Sequence, residues 1–144
     1  MSDASSLAII PALPVHKNFI FQTWLKAYRY DSPFGKGIPN KVFFDRHHKI
    51  LERILARPTA KVLAAVEPTE HSTLFGYLAF EASIDRPVIH FAYVKEAFRK
   101  LGVAKALFTH ASIEPNGAAF THRTYEFEWF EPKYPGLVYD PYLI

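Results

Sequence analysis

The 144-residue sequence contains no cysteine. Disulfides, thiolate metal sites and a cysteine nucleophile are therefore excluded. No apolar run approaches the roughly 20 residues of a membrane-spanning helix. The N-terminal stretch places Asp3 ahead of any basic residue, and Pro11 and Pro14 interrupt its apolar part, so it does not read as a signal peptide. These absences lead to the expectation of a cytoplasmic protein without a membrane partner. There is no Walker loop, no Gly-x-Gly-x-x-Gly and no His-Glu-x-x-His. Seven histidines are present, but His47 and His48 are adjacent and point about 100° apart on a helix, so no metal site is expected. A dense Lys/Arg run is also missing. Arg46, Lys49, Arg53 and Arg57 are spread along one predicted helix and read as a solvated face, so a nucleic-acid partner is not expected. No repeat or low-complexity tract occurs.

What is present fits one globular domain spanning residues 1–144. Hydrophobic residues make up 49% and charged residues 22%, enough apolar material for one sizeable core. Aromatics reach 16%, which implies a ring-rich core or a ring-lined cleft. The formal charge of +3 suits a polyanionic ligand.

Leu7–Ile10 reads as a first strand stopped by Pro11. Asn18 is placed as the cap of a helix to about Tyr28, with Ile20, Phe21, Trp24, Leu25 and Tyr28 on one face. Asp31–Pro39 is a long loop. A second helix runs from a cap at Asn40 to Arg57, before Pro58, with Phe43, Phe44, His47, Ile50, Leu51, Ile54 and Leu55 at helical spacing. Lys61–Val66, Leu74–Ala82 and Val88–Val94 are strands joined by turns. Val103–Ser112 is a third helix with Val103, Ala106, Leu107 and Ala111 inward. Ala118–Thr124 reads as a further strand, and the aromatic segment 125–144, with its three prolines, shows no period. Strands joined by hairpins, with helices segregated, give an α+β, mixed sheet.

The informative stretch runs from His90 to Leu107. A buried strand ending at Val94 feeds a loop, and the loop opens a helix at Gly102. Helix N-termini expose unpaired N–H groups and a partial positive charge, which suits phosphate. Gly102 lets a bulky anion approach the backbone, Ala104 is nearly as permissive, and Arg99 and Lys100 add charge. Arg99, Gly102 and Ala104 match the pattern Arg/Gln-x-x-Gly-x-Gly/Ala, with Val94 five residues ahead of Arg99. Here residues 15–112 resemble the GNAT superfamily of acyl-CoA-dependent N-acetyltransferases, whose element order is also matched. The resemblance implies a GNAT-like fold: a mostly antiparallel twisted sheet flanked by helices, here with a shortened C-terminal part. It implies acetyl-CoA as co-substrate and no metal. Main-chain groups of Ala92 and Val94 would pair with the pantetheine arm, on a strand splayed from its neighbour. N–H groups of Lys100, Leu101, Gly102, Val103, Ala104 and Lys105, with Arg99 beside them, would take the pyrophosphate. The rival reading makes Gly102 a helix-start glycine and Arg99 a surface charge.

Acyl transfer to an amine needs a base, and an acid can protonate the leaving thiolate. His90, predicted by strand alternation to share a face with Val94, is a candidate base or else a packed core histidine. Glu81 is a second candidate or a strand-end charge. The family's C-terminal motif is absent, so the acid is open among Tyr125, Tyr134, Tyr139 and Tyr142, with Tyr125 the first candidate. His122 could face the acceptor or belong to a polar edge strand. The acceptor would be a small amine, an amino-sugar or a protein amine, beside the loop Asp31–Pro39. The alternative reading is a catalytically silent GNAT-fold binding or assembly protein, such as a short phage-encoded one, with a second copy completing the cut-down sheet as a homodimer.

Overall fold

The apolar run Leu74–Phe80 decides the centre of the molecule: each of its residues but Gly76 carries a buried side chain, and Gly76 itself is buried. A strand apolar on both faces must be covered on both faces. The computed structural model describes residues 6–82, 85–99 and 101–144. In chain order the elements are β1 (Ala8–Pro11), α1 (Lys17–Tyr30), α2 (Asn40–Leu55), β2 (Ala60–Glu67), β3 (Glu70–Glu81), β4 (Val88–Val94), α3 (Val103–Ala111), β5 (Ala119–Phe120), α4 (Phe127–Phe130) and β6 (Val138–Tyr139). The sheet has six strands in the order β1-β2-β3-β4-β5-β6. The first four pair antiparallel, whereas β5 and β6 join parallel. This is the expected mixed, mostly antiparallel sheet with a shortened end.

One face is covered by α1 and α2, whose apolar stripes fall where the spacing predicts: Ile20, Trp24 and Tyr28 on α1, and Phe43, Leu51 and Ile54 on α2. Trp24 stacks on Phe91 of β4 at 5.4 Å. The other face carries α3, with Val103, Leu107 and Phe108 against Leu78, Phe80 and Phe120. Among the described residues no helix is long and apolar enough to cross a membrane.

Several boundaries differ from expectation. The first strand is Ala8–Pro11, one residue later than predicted, because Pro11 needs no donor at an edge position and still pairs with Leu63. Neither predicted cap is one. Asn18 lies inside α1, and Asn40 begins α2 while its side-chain oxygen accepts a bond from Arg29 Nε at 2.8 Å instead. Arg29 also donates to the carbonyls of Gly35 and Ile38, which fixes the loop between the helices. The predicted strand Ala118–Thr124 shrinks to Ala119–Phe120, since the following residues turn away to form side-chain bonds with β4 and α2.

Gly76 marks the tightest approach in the sheet. A Cβ there would sit 2.6 Å from the Tyr93 carbonyl oxygen and 3.2 Å from the Val94 Cα. Both neighbours are backbone, so they can yield only by opening the β3–β4 pairing. Gly76→Ala is expected to cost about 1–3 kcal/mol, as overpacking does, read as a lower urea midpoint. An unchanged midpoint would show that the pairing is looser than this.

Candidate functional site

β4 and β5 pair in parallel at only two positions, Val88 with Ala119 and Ile89 with Phe120. The Thr121 N–H still reaches the Ile89 carbonyl at 3.1 Å, but β5 has ended while β4 continues to Val94. The two chains therefore fork just beyond Ile89, and the splayed strand expected of the resemblance is present. A cleft of about 470 Å³ opens along the fork on the α3 face.

Ala92 and Val94 line one wall from β4, and Arg99, Gly102, Val103, Ala104 and Lys105 continue it along the loop and α3. Gly102 has φ 84° and ψ 10°, the left-handed region, and caps α3 by accepting the Ala106 N–H at 2.9 Å. That geometry favours glycine and leaves the first-turn N–H groups of the nine-residue helix without intrahelical acceptors. Leu101 is half-buried and does not line the cleft, and the predicted ligand Lys100 lies outside the described residues. Arg99 donates through Nε to the Val94 carbonyl at 2.8 Å and holds Glu126 at 3.2 Å across the cleft mouth.

The second wall comes from the segment after β5, through Thr124, Glu126, Phe127, Trp129, Phe130 and Lys133. No sequence period marks this segment. Ring stacking replaces it: Phe127 lies on Phe120 at 4.4 Å and Phe130 on Phe108 at 5.9 Å. The apolar channel, cationic rim and free helix N–H groups fit a long thin thioester arm ending in phosphates.

His90 is not on this wall. Ala79 pairs with Phe91 and Phe80 with Ile89, so His90 is an extra, bulged residue. The bulge overturns the prediction that His90 shares a face with Val94. Its ring turns to the α1–α2 side, where Nε2 lies 2.5 Å from Oε2 of Glu81 and Nδ1 lies 2.9 Å from Oγ1 of Thr121. Glu81 is held as well by Arg57 at 2.8 Å and Thr59 at 2.5 Å. Thr121 Oγ1 lies 2.8 Å from Nδ1 of His122, and Nε2 of His122 lies 2.8 Å from Nε2 of His47 on α2. His47, His90, Thr121 and His122 are all buried.

Electrostatics and proton counting fix the sense of this chain. Burial pushes His47 down to about 4. Burial also lowers His122, helped by the charges of His47 and His90. His90 is lowered by burial, which outweighs the hydrogen bond and charge of Glu81. Burial alone would raise Glu81, but bonds from Thr59, His90 and Arg57 hold it below its ordinary value. At neutral pH the carboxylate is an acceptor only, so His90 donates from Nε2 and accepts at Nδ1. Thr121 has one proton and gives it to His90, so it must accept from Nδ1–H of His122. His122 then accepts at Nε2 from His47. Every donor points towards Glu81. Sequence reasoning paired neither His47 nor Thr121 with His90. His47 sits on the apolar stripe of α2 and reads as core, and its partner lies 75 residues away.

Tyr125 is not brought to the His90–Glu81 pair. It lies exposed between Thr124 and Glu126 and gives its backbone N–H to the Asp31 carbonyl at 2.7 Å. Tyr28, stacked among Phe34 and the buried imidazoles, is held above its ordinary pKa by burial and then by Tyr139. Among the described residues no group of three or more His, Asp or Glu side chains is arranged to hold a metal ion.

No family model matches the sequence, and no curated protein does. Solved structures do resemble the fold. A protein from Pyrococcus furiosus described as an acetyl transferase superposes with TM-score 0.61 at 19% identity, covering 93% of this chain and 81% of that one. The PaiA N-acetyltransferase from Thermoplasma acidophilum, solved in complex with coenzyme A, gives TM-score 0.51 at 14% identity over 74% of this chain and 70% of that one. A protein from Staphylococcus aureus described as a GNAT family acetyltransferase gives 0.54 at 18% identity over 72% of this chain and 86% of that one. The forked sheet, the cleft along α3 and these superpositions agree: the chain has the GNAT acetyltransferase fold.

Proposed function

We propose that residues 1–144 form one acyltransferase domain that moves an acyl group, in the simplest case acetyl, from coenzyme A to an amine. The observation that carries this reading is the cleft running from the β4–β5 fork to the left-handed Gly102 at the start of α3. Coenzyme A, when bound, would supply the acyl carbon as a thioester. Main-chain groups of Ala92 and Val94 would hold its arm. The N–H groups of Gly102, Val103, Ala104 and Lys105, with the Arg99 guanidinium, would hold its pyrophosphate.

The amine must lose a proton. In this reading the proton enters the buried relay at Thr121, one residue past the β4–β5 pairing, and not at a residue that lines the cleft. Oγ1 of Thr121 keeps one lone pair beyond the bond from His122, and as it takes the new proton it passes its own to Nδ1 of His90. His90 releases the Nε2 proton to Glu81, where Arg57 and Thr59 stabilise the carboxylate beforehand. Tyr125, exposed between the cleft-lining Thr124 and Glu126, is the candidate proton donor to the leaving sulfur. The loop between α1 and α2, pinned by Arg29, would form a wall for the acceptor.

The test is calorimetric titration with acetyl-CoA and with CoA, followed by thiol release over a panel of amines. Binding of both, with release dependent on one amine class, supports the reading. Binding without release from any amine favours a binding protein, and no binding at millimolar cofactor removes the reading. A companion variant probes the rim. Glu126 is a carboxylate at an anion site, paired with Arg99. Glu126→Gln is expected to tighten CoA binding roughly two- to tenfold at low salt, with the gain shrinking at high salt. Weaker binding by this variant would mean that Glu126 contacts the ligand favourably.

A further inference from the structure

Residues 17–57 hold nine Lys and Arg against three Asp and Glu, an excess of six positive charges. The whole chain has an excess of only three, so the remainder is negative by three. In the fold residues 17–57 form one layer, α1, the loop 31–39 and α2, over one face of the sheet. Among the described residues Arg57 alone of the nine is paired with a carboxylate, that of Glu81. Lys26, Lys36, Lys41, Arg46, Lys49 and Arg53 are exposed. On α2, Val42, Arg46, Lys49 and Arg53 follow at the spacing of one helix face. An uncompensated charge of this size sets the potential over the layer. Large apolar side chains break the surface at its loop end. Tyr30 is 58% exposed, Phe34 42% and Val42 47%. They are held in place. Arg29 fixes the carbonyls of Gly35 and Ile38, Phe34 stacks on Tyr28 at 4.7 Å, and the Ser32 hydroxyl donates to the Tyr28 carbonyl. The Asp31 carbonyl accepts from the Tyr125 N–H, which ties this end to the segment that forms the second wall of the cleft. A rigid, exposed apolar patch with cations on either side in the chain makes a docking surface with little left to order on binding.

The charge decides among acceptors. Amino-sugars and polyamines carry several ammonium groups at neutral pH, and this layer would repel them. An amine that approaches it must bring carboxylates of its own. Asp45 and Glu52 are exposed among the cations of α2, so the face is not a continuous track for a phosphate backbone. We propose that the acceptor amine is carried on an acidic polypeptide, docked on the layer of α1, the loop and α2 with its carboxylates on the cations and an apolar side chain on Tyr30 and Phe34. This rests on the acyl-transfer reading of the cleft and extends it to the class of acceptor.

The experiment follows thiol release from acetyl-CoA with three acceptors: a lysine peptide flanked by glutamates, the same peptide flanked by arginines, and spermidine. The glutamate peptide is expected to show the lowest KM, at least about tenfold below the arginine peptide at low salt, with the gap closing as salt rises. Reversing two charges on the face, Arg46→Glu with Lys49→Glu, is expected to raise the KM of the glutamate peptide at least about tenfold. The binding of that peptide, followed by the anisotropy of a fluorescent label, should weaken by the same factor. Turnover at saturation and CoA affinity should stay as they are. Both positions are exposed, so the changes do not threaten folding. Equal KM for the two peptides, or spermidine as the best acceptor, overturns the docking surface and leaves the acyl-transfer reading standing. A single-stranded oligonucleotide that binds more tightly than the glutamate peptide overturns it too, in favour of nucleic acid. No CoA binding and no thiol release with any acceptor overturns the acyl-transfer reading, and the acceptor assignment with it.

Discussion

Gly102→Glu is expected to abolish coenzyme A binding, with a loss of at least about 100-fold, or roughly 3 kcal/mol. Three effects act at one position. Gly102 lines the cleft, so a side chain there occupies space meant for the ligand. Its φ of 84° is a conformation L-residues adopt at a cost of about 1–2 kcal/mol. A carboxylate at the start of α3 would also take up the free N–H groups of the first turn and repel an incoming phosphate. That last interaction stabilises the helix, so the variant should fold. Gly102→Ala separates the contributions, because it introduces the strain without charge or bulk. It should lower the urea midpoint by a similar amount while costing binding much less. Unchanged CoA affinity in Gly102→Glu would remove the loop from the binding site altogether.

The wall that carries Gly102 was legible because its signal is local. Val88–Val94 is an apolar, β-branched and aromatic run broken only by His90, and its strand bounds are those predicted. Arg99, Gly102 and Ala104 follow at fixed spacing because one backbone turn needs them there. The facing wall depends on distant partners. α4 has four residues and β5 and β6 two each, too short for any period, and stacked rings hold them rather than a ladder. The orientation of His90 was hidden for another reason. Alternation is a property of one strand, whereas a bulge belongs to a pair, and only the register of Ala79 and Phe80 against β4 reveals it. Asn40 illustrates the same limit at a helix start. Its composition says cap, but Arg29, eleven residues earlier, claims the oxygen.

The buried imidazoles give the second large effect, on stability against pH. Above about 6.5, their ordinary value, His47, His90 and His122 are neutral whether folded or unfolded, and they impose no pH dependence. Below it the unfolded chain takes up protons that the fold refuses, since burial depresses all three. The unfolded state then binds more protons, so stability must fall as the pH falls. For His47 the window runs from about 6.5 down to about 4. Between pH 7 and pH 5 it alone should remove about 2 kcal/mol. His90 and His122 act in the same direction, and below the ordinary carboxylate range protonation of Glu81 removes its bonds to Arg57, Thr59 and His90 as well. Against a typical stability of 5–15 kcal/mol such losses bring acid unfolding near pH 5 within reach. Protonation also attacks the structure directly, because His47 and His122 face each other at 2.8 Å and cannot both be charged. Urea unfolding at pH 7, 6 and 5 reads the effect. His47→Phe should shrink the pH 7-to-5 decrement by about 2 kcal/mol, even if leaving Nε2 of His122 without its donor makes the variant less stable at pH 7. A midpoint that stays level from pH 7 to pH 5 in the native chain would mean that the histidines accept protons in place. The one-way ordering of donors towards Glu81 would then be wrong.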